Sequence, residues 1–172
     1  TTVSDFDEEE KRRTISLYTS VIPVEYEGKK LNILDAPGYA DFVGDMISAL
    51  KVSDGAVILV DAVSGIEVGT EIAWKKAGEF GLPRMVLVSK MNRENADFNK
   101  TVAAFTAYAK DAHLVKMQIP WGEQLGIQGV IDILTMKAYG KDNKPVDIPA
   151  EYQAEAEALR AELMEAAAEG ED

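Results

Sequence analysis

The sequence predicts an α/β fold built on a doubly wound, mostly parallel sheet, with a small α+β insert towards its end. Three observations carry that prediction. The runs Ala56 to Val60 (AVILV) and Met85 to Val88 (MVLV) are continuously apolar, as strands buried on both faces of a parallel sheet are. Stretches of helical period alternate with them through short links, the pattern of right-handed strand-helix-strand crossovers. After His113 the pattern changes to short strand-like runs broken by glycine.

Taken in order, residues 1 to 12 (TTVSDFDEEEKR) are dense in charge and lack apolar periodicity, so they read as a mobile segment. Thr14 to Tyr26 is rich in β-branched and aromatic residues and reads as a strand, with Pro23 marking an edge or a bulge. Gly28 turns the chain into a second strand, Leu31 to Leu34, which makes a hairpin. Phe42, Val43, Met46, Ile47 and Leu50 share one helical face. A helix over Val68 to Phe80 ends at Gly81 and Pro83, and Phe98, Val102, Phe105 and Ala109 mark another. VKMQIPWG and GVIDILTMKAYG each read as a strand-like run. Pro145 and Pro149 lead into a last helix, with Tyr152, Ala156, Leu159, Leu163 and Ala166 on one face.

Composition narrows the function classes. Of the 172 residues, 47% are hydrophobic and 28% charged, an ordinary soluble mixture. There is no cysteine, which removes disulfides and thiolate metal sites and fits a reducing cytoplasm. No apolar run approaches the length of a membrane span. The chain opens on Thr1 rather than Met and is read as a fragment. The net charge is −12, and from Ala150 to Asp172 eight acidic residues face Arg160 alone. That tail reads as a solvated helix face, and the chain offers no basic surface for direct DNA binding or for an RNA backbone.

In an open α/β sheet, ligands gather at the carboxyl ends of the strands. Asp35 ends one strand and is followed by Ala36-Pro37-Gly38; Asp61 ends AVILV; Ser89-Lys90-Met91-Asn92 ends MVLV. A carboxylate at such a strand end holds magnesium, usually through water, beside phosphate oxygens. Gly38 leaves its N–H open to a terminal phosphate because no Cβ blocks the approach. Lys90 has a stem that lies along a purine ring and an ammonium for nearby oxygens. Each motif alone has a plainer reading: a common turn for D-x-x-G, polar capping for the second. For Asp61 the expectation is a solvated or capping role, for His113 a surface role, and for Trp74 and Trp121 packing.

Taken together, the motifs identify a family. Residues Arg13 to Phe98 resemble the GTP-binding domain of translational GTPases, most closely elongation factor G and its paralogues. RTIS (Arg13 to Ser16) looks like the first-switch motif R-G-I-T, DAPGYADF (Asp35 to Phe42) like D-T-P-G-H-x-D-F, and SKMNRENADF (Ser89 to Phe98) like N-K-M-D-R-x-G-A-D-F. MQIPWGEQLGIQGVIDILTMKAYG resembles the insert that elongation factor G carries in this domain. The resemblance implies a P-loop NTPase-type sheet. It divides the chain into residues 1–112, a partial GTP-binding domain, and 113–172, the insert subdomain. It further implies GTP and Mg2+ as cofactors of the full-length protein, the ribosome as partner, and a cytoplasmic setting. By position, Ser16 and Asp35 would hold magnesium and Gly38 would sense the γ-phosphate. Tyr39 would take the place of the catalytic His that orients the attacking water. Ser89, Lys90 and Asn92 would bind the base.

The sequence departs from the family pattern in several places. No G-x-x-x-x-G-K-[ST] stretch occurs, so the first strand and phosphate loop are read as missing and the fragment is expected to bind GTP poorly and to be inactive. Tyr39 brings a phenol with a pKa of about 10 where the family has an imidazole that titrates near neutrality. Asn92 replaces a carboxylate that would accept both guanine donors, N1–H and the 2-amino group. Its own NH2 would face the amino group, a mismatch of roughly 1–3 kcal/mol. Xanthine, with a carbonyl there, would suit Asn92 better. These changes support an alternative reading, a degenerate nucleotide switch or a ribosome-protection type of binding protein with little turnover.

Overall fold

The computed structural model describes residues 3–169. Thr1 and Thr2, at the head of the segment read as mobile, and the end of the acidic tail, Gly170 to Asp172, lie outside the described residues. The chain divides into two compact units, residues 1–60 with 66–87, and residues 61–65 with 88–172.

The first unit opens with a helix that the charge-rich sequence did not suggest, α1 (Glu8–Arg13). Asp7 caps it by accepting from the Glu9 N–H, and Glu10 reaches back to the Asp7 N–H in a capping box. Glu9 pairs with both Arg12 and Arg13 one turn on. The segment is therefore ordered by local charge pairing rather than by an apolar face. The first strand is shorter than predicted, because residues 14 to 19 wrap back over α1: β1 (Ser20–Tyr26) pairs antiparallel with β2 (Lys29–Asp35), Ser20 opposite Asp35. Pro23 sits in β1, whose other edge has no partner strand among the described residues, so a missing N–H costs least there. A single 3-10 turn, Ala40–Phe42, leads into α2 (Val43–Val52), which packs on α3 (Val68–Glu79). Glu67 and Thr70 form the capping box of α3.

Strands β3 (Ala56–Asp61) and β4 (Arg84–Ser89) pair with each other. Ala56 donates to Pro83 O at one end and Ala62 to Ser89 O at the other, an equal advance along both strands that makes the pair parallel. Ile58 and Val60 are buried, while Val57 and Leu59 between them are 57% and 61% exposed. The expectation that AVILV is covered on both faces therefore fails among the described residues: one face is packed and the other is bare. The sheets are also small. Among the described residues, β1–β2 and β3–β4 are separate two-stranded sheets, so β2 and β3 each keep one edge without a partner strand there. A broad groove runs between those two edges, lined by Leu31, Ile33, Val57 and Leu59, and floored by α2 and α3.

The second unit holds α4 (Phe98–Tyr108) and an antiparallel meander of β5 (Gln118–Trp121), β6 (Gly129–Asp132), β7 (Lys137–Gly140) and β8 (Pro145–Val146). The run GVIDILTMKAYG is a hairpin, not one strand. Asp132 accepts from the Thr135 N–H and Met136 takes φ 53°, which reverses the chain. The final helix, α5 (Ala150–Glu169), lays Tyr152, Ala156, Leu159 and Leu163 on the meander. Ile131, Ile133, Ala138 and Ala156 are fully buried there. Arg160 donates to Ile133 O at 2.8 Å, tying α5 to the hairpin turn. Among the described residues no helix is long and apolar enough to cross a membrane.

Candidate nucleotide site

In the first unit the corner after β2 is built in three steps. Asp35 closes the ladder opposite Ser20. Pro37 is buried and turns the chain, and Gly38 and Tyr39 emerge exposed. Tyr39, 59% exposed and with no side-chain capping bond, precedes the Ala40–Phe42 turn, and its carbonyl accepts from the Phe42 N–H. A Cβ added at Gly38 would meet nothing within 4 Å, and its φ is not positive. Neither backbone conformation nor packing within the chain demands glycine there. The space beside Gly38 is open to an approaching ligand.

Gly69, in the first turn of α3, is the reverse case. A Cβ there would sit 2.6 Å from the Gly38 carbonyl oxygen. The start of α3 therefore buttresses the corner, and only glycine permits the approach. Sequence reasoning missed Gly69; a glycine in the first turn of an otherwise well-capped helix was the available clue.

Ser16 is engaged within its own segment. Its hydroxyl donates to Asp5 Oδ1 at 2.8 Å. Glu10, 1% exposed, receives the N–H groups of Leu17 and Tyr18 on one carboxylate oxygen and that of Asp7 on the other. One buried carboxylate thus holds the backbone just after Ser16. Neither Asp5 nor Glu10 was singled out in the sequence, although the D-x-x-E spacing of Asp7 and Glu10 is a readable capping box.

In the second unit, the Ser89 carbonyl at the end of β4 accepts from Ala62. Lys90 takes the left-handed φ of 56°, and its carbonyl accepts from Arg93. Its Nζ lies 2.7 Å from Asp61 Oδ2. Asp61 Oδ1 caps the following turn by accepting from Val63 and Ser64, the capping role expected of it. Lys90 first, and then the Val63 N–H, hold the Asp61 carboxyl down to about 2. Asn92 is exposed in the turn that follows.

Ser16, Asp35, Gly38 and Tyr39 thus belong to the first unit, and Ser89, Lys90 and Asn92 to the second. Among the described residues, no group of three or more His, Cys, Asp or Glu could cage a metal. Of the two residues expected at a magnesium ion, Asp35 ends β2 and Ser16 has its hydroxyl on Asp5.

The family description "Elongation factor Tu GTP binding domain" matches residues 1–169. The chain belongs to that family. This translational GTPase domain is also similar to a solved structure, a crystal structure of a Thermus thermophilus protein, at 33% identity and a TM-score of 0.90. The match covers all of this chain and 26% of that one, so the chain spans about a quarter of that protein's length. The mixed α/β architecture accords with the family.

Proposed function

We propose that the chain is the GTP-binding portion of an elongation factor G-like GTPase whose full-length form binds GTP with magnesium and hydrolyses it on the ribosome, in the cytoplasm. The observation that carries this reading is the corner after β2: a strand-end carboxylate, Asp35, beside Gly38, whose missing Cβ serves nothing inside the chain. The bare edges of β2 and β3 support a layout in which a further strand, bearing the phosphate loop, completes one doubly wound sheet across the groove. Residues 1–112 would then be the partial GTP-binding domain and 113–172 the insert.

Within this reading each residue has a task. Gly38 offers its N–H to the terminal phosphate. Tyr39 positions the attacking water by hydrogen bonding alone, since a phenol, unlike an imidazole, has no cationic form near neutral pH. Lys90 and Asn92 flank the base beside Ser89. Magnesium, when bound, offsets charge on the phosphate oxygens. Catalysis then rests on positioning and charge stabilisation.

The second reading, a nucleotide switch with little turnover, is supported by Tyr39, by Asn92 and by the Ser16 hydroxyl already engaged with Asp5. The deciding experiment uses the full-length protein with GTP, XTP and ATP, measuring affinity and ribosome-stimulated hydrolysis. Turnover that rises with ribosomes supports the first reading; tight binding without turnover supports the second. Relaxed guanine choice at Asn92 predicts XTP binding close to that of GTP, and a preference for GTP of several hundredfold would remove it. For the 172-residue chain alone, calorimetry is expected to show no micromolar GTP binding.

A further inference from the structure

The geometry points to Asp61 as the positioning residue that anchors the Lys90 ammonium and so aligns the Lys90 stem along the nucleotide base, an inference that rests on the role proposed for Lys90. Asp61 is the fixed partner of the two. Its side chain is 11% exposed against 49% for Lys90. One carboxylate oxygen is held by the Val63 N–H at 2.8 Å and the Ser64 N–H at 3.3 Å. The backbone fixes it further: Gly65 donates to Asp61 O at 2.8 Å, closing the turn over residues 61–65. The second oxygen is left to aim at Lys90 Nζ, 2.7 Å away.

Lys90 is held at its other end by the same turn. Ala62, next to Asp61, donates to Ser89 O at 3.0 Å, and its own carbonyl accepts from Asp97 at 3.2 Å and from the Thr101 hydroxyl at 3.4 Å. The left-handed backbone of Lys90, rare for a residue with a side chain, is thereby fixed by bonds on both sides, as strained positions at functional sites are. A lysine stem has four rotatable bonds, and an exposed ion pair adds little to stability. The consequence of this pair lies in where the ammonium waits. Two adjacent residues of one turn, Asp61 and Ala62, define the tip and the root of the Lys90 side chain.

The test uses full-length protein and fluorescent GDP. Asp61→Asn keeps an oxygen for the Val63 and Ser64 N–H groups but turns an NH2 towards Lys90, so the turn survives while the attraction is lost. Asp61→Asn and Lys90→Met are each expected to weaken GDP binding about tenfold, and the double variant to be no weaker than the worse single one. Independent, multiplying losses would overturn the proposal, as would an unchanged affinity in Asp61→Asn while Lys90→Met is impaired. An unaffected Lys90→Met, which keeps the stem and loses the ammonium, would overturn this inference, and an unaffected Lys90→Ala would overturn the base-contact role of Lys90 itself. A second measurement needs no variant to fold. In 15N-lysine-labelled wild-type protein, the Lys90 ammonium should give a signal protected from solvent exchange, and its absence would also overturn the proposal.

Discussion

The two units solve burial in opposite ways. In the second, the meander and α5 enclose their own core, with Ile131, Ile133, Ala138 and Ala156 fully buried. Every strand neighbours another within one four-stranded sheet. In the first, two separate pairs of strands leave edges unpaired, and Leu31, Ile33, Val57 and Leu59 are about half exposed or more. The second unit gathers its buried aliphatic residues into one cluster. The first also buries Ile58, Val60 and Trp74, and adds to them the Glu10 carboxylate, two capping boxes and the close Gly38–Gly69 approach. The difference teaches where mutational sensitivity should reside. The bare aliphatic residues of the first unit should tolerate change, whereas its buried acceptor Glu10, its Gly69 and the buried cluster of the second unit should not.

The strongest expected effect tests the first half of that contrast. Ile131→Ala removes a fully buried side chain and should cost about 2–5 kcal/mol in denaturant unfolding. The same experiment on Leu59→Thr in the first unit should change stability by no more than about 0.5 kcal/mol, since that side chain is mostly exposed. Equal losses would break the comparison. Next comes Glu10→Ala, which leaves three backbone N–H groups without their acceptor and should cost roughly 1–3 kcal/mol. Hydrogen exchange at Leu17 and Tyr18 should accelerate with it, and unchanged protection there would remove the clamp. Gly69→Ala drives a Cβ against the Gly38 carbonyl and should cost about 1–3 kcal/mol, with amide shifts at Gly38 and Tyr39. Gly38→Ala should leave the fold within about 0.5 kcal/mol, because nothing lies within 4 Å of the added carbon.

The smallest effect is one of pH. The folded-state pKa of Asp61 is depressed from 3.8 to about 2, so the pair with Lys90 contributes fully above about pH 4. It fades as the pH falls through about 2. A carboxyl NMR titration placing Asp61 near its ordinary value would contradict the ion pair.

Much of the architecture was legible because burial leaves a pattern. AVILV and MVLV announced β3 and β4, and the apolar period of residues 98 to 109 announced α4. What was not legible depended on contacts that hydrophobicity does not encode. α1 carries six charged residues and owes its order to Asp7, Glu9 and Glu10. The hairpin at Ile133 to Met136 turns without glycine or proline, through the Asp132 side chain. At the site, the strand-end rule found Asp35, Asp61 and Lys90, but neither the Asp61–Lys90 pair nor Gly69. Those contacts join residues distant in sequence, 29 positions apart for Asp61 and Lys90 and 31 for Gly38 and Gly69.

The unpaired edges of β2 and β3 also bear on the behaviour of the chain in a test tube. A strand edge with free N–H and C=O groups, flanked by exposed aliphatic side chains, is a template for pairing with another molecule. The acidic charge, with a net −12, opposes such encounters at low ionic strength, and salt screens that repulsion. Solubility of the isolated chain should therefore fall as salt rises, and a lysine at Ile33 or Val57 should restore it.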